Sequence, residues 1–214
     1  MKKHGVMLVG LCGRSGSGKG YVASIFARYG IPSVDTDAVY REMTSPSRKP
    51  SACMEELSAR FGKEIVLPDN SLNRPLLREM VFGGDGQALR DLNRISHAHI
   101  LRESRKRARR LYRDGSGIVL IDAPLLYESG FDAECECVVA VTAPEDEMIR
   151  RITERDGITE KEARTRLESQ IPAEELVKRA DFVIGNDVTK RTLMKRVMNV
   201  VTKLERIRSE RYSE

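Results

Sequence analysis

The chain has 214 residues and a formal net charge of +5, from 37 Lys and Arg against 32 Asp and Glu. That length can bury a full core and predicts one domain with insertions, and no apolar run approaches the roughly 20 residues of a membrane span. The charge suits a polyanionic small molecule but is too modest to require nucleic acid.

The four cysteines (Cys12, Cys53, Cys135, Cys137) form neither a paired framework nor a zinc-ligand spacing, so reduced thiols in a cytoplasmic protein are expected. The start, Met1-Lys2-Lys3-His4-Gly5, is basic, and the apolar residues 6–11 behind it read as a short buried strand. That strand runs directly into Gly13-Arg14-Ser15-Gly16-Ser17-Gly18-Lys19. A cleavable export signal would remove this loop, so none is read here. Val22, Ile25, Phe26 and Tyr29 then step along one face of an amphipathic helix.

Strand, glycine-rich loop and helix are the context in which G-x-x-x-x-G-K makes a phosphate cradle. Glycines let successive backbone N–H groups converge on phosphate oxygens, and the helix N-terminus adds partial positive charge. Gly13, Gly16, Ser17, Gly18, Lys19, Gly20 and Tyr21 are therefore the candidate nucleotide-binding residues, with Lys19 directed to the β- and γ-phosphates. The motif normally ends in Ser or Thr, whose hydroxyl ligates Mg²⁺. Gly20 and Tyr21 stand there instead, which leaves the metal to water and a nearby carboxylate.

Ser33-Val34 begins a second strand that runs into Asp35-Thr36-Asp37. Carboxylates at a strand's C-terminal end lie at the ligand-bearing edge of an open α/β sheet, where one can accept a hydroxyl proton or hold Mg²⁺ through water. Asp37 also sits well as the N-cap of a helix over residues 38–42. From Thr44 to Gly115 the pattern is helical, with apolar positions at Met54, Leu57 and Phe61, at Leu76, Leu77, Met80 and Val81, and at Leu89, Leu92 and Ile95. Residues 45–114 are read as a helical insertion that holds the acceptor substrate. Its arginine-rich end, Arg102 to Arg113, reads by default as a solvated basic face, with an anion-binding face as the alternative. No aromatic residues alternate there to stack bases, so nucleic acid is not expected.

Residues 118–121 form a third buried strand ending in Asp122, a candidate Mg²⁺ partner acting through water. A fourth strand covers 137–141. The helix after it carries Arg150, Arg151 and Arg155, and Thr159 with Glu162 reads as a capping box opening another. These two helices, within about 145–172, are the predicted lid, whose arginines would neutralise charge on the γ-phosphoryl oxygens. A fifth strand at 182–184 ends in Gly185-Asn186-Asp187, a long helix follows from Val188, and residues 209–214 are expected to fray. The fold class is α/β, a five-stranded parallel sheet flanked by helices, its core formed by residues 1–44 and 115–214.

Taken together, the landmarks resemble the dephospho-coenzyme A kinase family. They are the loop Gly13 to Lys19, Val34-Asp35-Thr36-Asp37, Leu72-Asn73-Arg74, Leu77-Arg78-Glu79, Val81-Phe82, and His97 with Ile100. Beyond them come residues 122–130 (Asp-Ala-Pro-Leu-Leu-Tyr-Glu-Ser-Gly), Arg155-Asp156-Gly157, Ser169-Gln170 with Pro172, and Ala180-Asp181 with Ile184 and Asn186.

The resemblance implies a P-loop kinase fold and transfer of the γ-phosphoryl of ATP to the 3′-hydroxyl of the dephospho-CoA ribose, with Mg²⁺. It implies Asp37 as base, Arg155 and secondarily Arg151 on phosphate, and Asn186 near adenine. Acceptor contacts fall on Asp35, Arg74, Arg78, His97 and Leu125. A monomer or weak homo-oligomer is expected, with no nucleic-acid or membrane partner. Besides Gly20-Tyr21, two positions depart from the family pattern. Ala98 replaces a usual Pro, and Leu101 replaces a common Arg, which leaves Arg102 as the substitute. Another nucleotide or nucleoside kinase, or a nucleotide-binding regulator without turnover, are the rival readings.

Overall fold

The structure, a computed structural model, describes residues 5–83 and 86–212. In chain order the elements are β1 (Met7–Cys12), α1 (Lys19–Arg28), β2 (Ser33–Asp35), α2 (Thr36–Met43), α3 (Ala52–Phe61), α4 (Arg74–Phe82) and α5 (Gln87–Arg113). Then follow β3 (Ile118–Asp122), β4 (Cys137–Thr142), α6 (Glu145–Asp156), α7 (Glu160–Glu168), α8 (Ala173–Arg179), β5 (Phe182–Gly185) and α9 (Lys190–Arg211). The strands make one parallel sheet in the order β2-β3-β1-β4-β5.

Central β1 is paired on both sides: Met7 lies opposite Ile118 in β3, and Val9 opposite Cys137 in β4. A strand flanked in this way and covered on both faces must be apolar at nearly every position, which is why residues 6–11 read as a continuous run rather than an alternation. Met7, Val9 and Leu11 pack with Val22, Ile25 and Phe26 of α1 and with Leu193, Val197, Val201 and Leu204 of α9. On the other face Gly10 is bare because a Cβ there would lie 2.6 Å from Leu126.

The chain separates into two compact units, residues 1–34 with 108–214, and residues 35–107. The first holds the core just described. A satellite core in the same unit joins Met148, Ile149 and Ile152 of α6 to Ala163 and Leu167 of α7. The second unit is built on Cys53, Met54, Leu57, Phe61, Ile65, Leu72, Leu77, Val81 and Ile95. Its helices start where the sequence offers caps: Ser51 accepts from Met54 N–H at 3.2 Å, and Asn73 accepts from Leu76 N–H at 3.3 Å with Pro75 in the first turn. The apolar positions from Leu89 and the arginine-rich stretch after them belong to a single 27-residue helix, α5.

The expected fraying of residues 209–214 does not hold as far as the chain is described. α9 continues to Arg211, and Tyr212 is buried in the main core while its hydroxyl donates to Glu136 Oε1 at 2.9 Å. One aromatic anchor outweighs the polar residues around it. Ser213 and Glu214 lie outside the described residues. All four cysteines are free, and burial pushes the thiols of Cys12 and Cys135 up to about 12. Among the described residues no helix is long and apolar enough to cross a membrane.

Candidate active site

β1 delivers the chain to the glycine-rich loop at the C-terminal edge of the sheet, the edge where open α/β sheets bind ligands. Gly16 and Gly18 hold φ of 77° and 86°, the left-handed region that favours glycine. A Cβ on Gly16 would fall on the backbone of Met148, and one on Gly13 would lie 2.7 Å from the Val141 carbonyl oxygen. The loop glycines are therefore demanded from below, by close approach of α6 and β4, as well as by any ligand above. Gly18 is the N-cap of α1 and offers no side chain to the first N–H groups of that helix. Those donors and the helix dipole are left to an anion.

Lys19 forms an ion pair with the carboxylate of Asp122, the two side chains being 17% and 10% exposed. Asp122 closes β3, in register with Leu11, which is why the end of one strand meets the lysine that follows the other. The ammonium and the carboxylate expected near the metal are thus held together at the loop. Gly20 and Tyr21 lie in the first turn of α1, exposed to solvent. Ser17 is buried, 1% exposed.

Three residues from later in the chain support the loop. Asn186, just past β5, is buried and its Nδ2 donates to Ser17 O at 2.8 Å, while its own N–H donates to Thr142 O at 2.7 Å. Arg151 of α6 donates to Gly16 O at 3.1 Å and to Asn186 O at 3.3 Å, with Glu147 3.3 Å from its Nε. Gln170, after α7, accepts from Ser15 N–H at 3.0 Å and donates to Ser15 Oγ at 3.3 Å. Arg14 reaches the same region, donating to Leu167 O at 2.7 Å. The sequence reading assigned Gln170 and Arg14 no job. Gln170 was visible only as part of a landmark, since a neutral amide names no chemistry.

Arg155 stands apart from Arg151. It closes α6, is 60% exposed, and donates from Nε and Nη2 to the Asp156 carboxylate at 2.7 and 2.9 Å. Arg155 and Arg166 together hold that carboxyl well below the usual carboxylate range. The capping box of α7 forms as expected: Thr159 Oγ1 accepts from Glu162 N–H at 3.3 Å and Glu162 Oε2 accepts from Thr159 N–H at 2.8 Å. Leu125, in the turn after β3, is 48% exposed, whereas Leu126 beside it is fully buried.

In the unit of residues 35–107, Asp35 is the N-cap of α2 and accepts from Ala38 N–H at 3.0 Å. The cap foreseen for Asp37 is thus filled by Asp35, because the helix begins at Thr36, two residues earlier than expected. Asp37 lies exposed in the first turn. Arg74 opens α4, donating to Thr44 Oγ1 at 2.7 Å with its guanidinium 5.6 Å from the Tyr40 ring centroid. Arg78 follows one turn later, exposed. His97 is half-buried in α5, and burial lowers its pKa. On the charged end of α5, Arg107 pairs with Glu42 and Glu103, while Lys106, Arg109, Arg110 and Arg113 are exposed.

Residues 7–191 match the dephospho-CoA kinase family. The dephospho-CoA kinase of Syntrophotalea carbinolica is 37% identical over 182 residues, covering 85% of this chain and 84% of that one. A solved Thermus thermophilus structure superposes with a TM-score of 0.77 at 30% identity, covering 94% of this chain and 98% of that one. The Campylobacter jejuni dephospho-CoA kinase superposes with a TM-score of 0.64 at 22% identity, over 92% and 96% of the two chains, and by itself speaks for the fold. Shared sequence across nearly the whole length, on a sheet whose central strand ends in a phosphate loop, leaves one assignment. The chain belongs to the dephospho-CoA kinase family.

Proposed function

We propose that the chain transfers the γ-phosphoryl group of ATP to the 3′-hydroxyl of the dephospho-CoA ribose, giving coenzyme A and ADP. The observation that carries this is the loop between β1 and α1, with Lys19 held at its mouth by Asp122, in a chain of this family. In the reaction the ribose O3′–Pγ bond forms, the bond from Pγ to the β–γ bridging oxygen breaks, and the hydroxyl proton leaves to a base. Little covalent chemistry falls to the protein, so positioning and charge stabilisation do most of the work.

Each residue then has a role. The loop N–H groups and the start of α1 take the phosphates, and Lys19 exchanges Asp122 for the β/γ oxygens. Arg155 leaves Asp156 to meet the charge spreading over the γ-phosphoryl group, which makes residues 145–172 a lid. Asp37 accepts the hydroxyl proton. Asp35, Arg74, Arg78, His97 and Leu125 contact the acceptor, and residues 45–114 form the acceptor-binding insertion. Asn186 supports the loop with its side-chain amide and lies toward adenine.

Mg²⁺ fits this donor set as a metal held mainly by phosphates and water. Among the described residues no group of three or more His, Cys, Asp or Glu side chains converges on one point, and Asp122 is the carboxylate beside the loop. Bound there, it neutralises phosphate charge. The test is ADP release with ATP–Mg²⁺ and dephospho-CoA, AMP or adenosine as acceptor. Dephospho-CoA is expected to lead by more than tenfold in kcat/KM. Equal turnover of AMP refutes the acceptor assignment, and no release with any acceptor favours a regulator.

A further inference from the structure

α4 carries two distinct faces. Leu77 and Val81 are 4% and 3% exposed and belong to the core of their unit. Arg74, Arg78 and Phe82 recur at four-residue intervals along another face. Phe82 is 68% exposed, the most exposed large apolar side chain among the described residues. It is not an accident of a helix lacking a core, because the same helix has one on its other side. Arg74, Pro75, Arg78, Glu79 and Phe82 line an open groove of about 670 Å³.

The chemistry of this groove is graded along the helix. At its start Arg74 is held in place by Thr44 Oγ1 at 2.7 Å and by the Tyr40 ring, and Thr44 Oγ1 is itself fixed by donating to Tyr40 O at 2.8 Å. A guanidinium fixed in this way is pre-organised for phosphate oxygens, and Arg78 one turn on adds a second. Glu79 contributes a carboxylate, which cannot take phosphate but accepts an amide N–H. Phe82, at the far end, offers a flat apolar surface.

Resting on the reading above, we propose that this face of α4 recognises the part of the acceptor beyond its adenosine. Arg74 and Arg78 take the diphosphate, Glu79 accepts from an amide N–H of the pantetheine arm, and Phe82 packs against the aliphatic carbons of that arm. The cationic start and apolar end of α4 match a ligand whose diphosphate leads into an arm of alternating alkyl and amide segments. Charge complementarity sets the direction, since the diphosphate has to meet the arginine end.

The test compares KM for three acceptors: dephospho-CoA, ADP-ribose (diphosphate without the arm) and adenosine (neither). Phe82→Ala is expected to raise KM for dephospho-CoA about tenfold with kcat within about twofold, and to leave the ADP-ribose and adenosine values within about twofold. Phe82→Leu, which keeps apolar area, recovers most of the loss. Arg78→Gln raises KM for dephospho-CoA and ADP-ribose but not for adenosine. A Phe82→Ala change that is equal for all three acceptors, or absent for dephospho-CoA, overturns the assignment. If the wild-type protein turns over none of them, the functional reading fails. Calorimetric binding of dephospho-CoA to wild type and Phe82→Ala, without ATP, then decides the groove alone: equal affinities overturn it, and a tenfold weakening sustains it.

Discussion

Replacing Arg151 with alanine removes a guanidinium that donates to Gly16 O at 3.1 Å and to Asn186 O at 3.3 Å. Bonds from a charged donor contribute about 1.5–3 kcal/mol each, and less where water can take the vacated place. Arg151 is 30% exposed, so partial rehydration is available, and the lower end applies. The loss is then about 2–3 kcal/mol, or a Tm lower by about 5–10 °C for a chain of this size. ATP affinity should fall with it, because the Gly16 carbonyl belongs to the phosphate loop and Asn186 itself bonds to that loop. Arg151→Lys should recover less than half, since one ammonium cannot span both acceptors. Arg155→Ala should behave in the opposite way. Its contact is with the neighbouring Asp156 at the surface, so Tm stays at the wild-type value, while kcat falls by about 10²-fold or more if this arginine meets the γ-phosphoryl group. Thermal melts and coupled ADP-release kinetics on the two variants separate the roles. A wild-type Tm with lost kcat for Arg151→Ala, or a lowered Tm with intact kcat for Arg155→Ala, refutes the division.

Lys19→Ala should reduce kcat/KM by about 10²-fold or more, roughly 3 kcal/mol of transition-state stabilisation; a near-normal rate in the folded variant removes the loop assignment. Asp35→Ala should lower stability by about 1 kcal/mol through loss of the α2 cap, whereas Asp35→Asn is nearly silent in a melt. Asp37→Asn should leave the melt unchanged and cut kcat by about 10²–10⁴-fold, and an unaltered kcat eliminates Asp37 as the base. An added Cβ at Gly20 meets nothing within 4 Å, so Gly20→Ser should fold normally, change the Mg²⁺ dependence modestly and remain active; activity found only in Gly20→Ser contradicts the enzyme reading.

The phosphate loop was legible in the sequence because its chemistry dictates its residue types: only glycine allows backbone to converge on phosphate, and a lysine must follow. The sheet was legible for a related reason, since strands covered on both faces leave continuous apolar runs such as Val138-Val139-Ala140-Val141. The division of labour between Asp35 and Asp37 was not, because either aspartate is a good cap and a shift of two residues in the helix start exchanges them. Nor was the role of Arg151. It acts on main-chain carbonyls of Gly16 and Asn186, and a carbonyl carries no residue signature. The same holds for the C-terminus, where polar composition suggested fraying and the burial of Tyr212 prevails.

The supports beneath the loop also explain why so many landmarks far from it recur in one order. A loop rich in glycine gains little from its own side chains and loses more conformational entropy on ordering than other residues would. Its geometry must therefore be imposed from outside. Asn186 and Arg151 hold the carbonyls of Gly16 and Ser17, while Gln170 holds the backbone and hydroxyl of Ser15. Fixing the carbonyls on the underside orients the peptide planes, and so fixes where the opposing N–H groups point. Residues outside the loop thereby set its geometry. A change at Arg151 or Gln170 should then weaken ATP binding through the loop's geometry, since both bond directly to its residues.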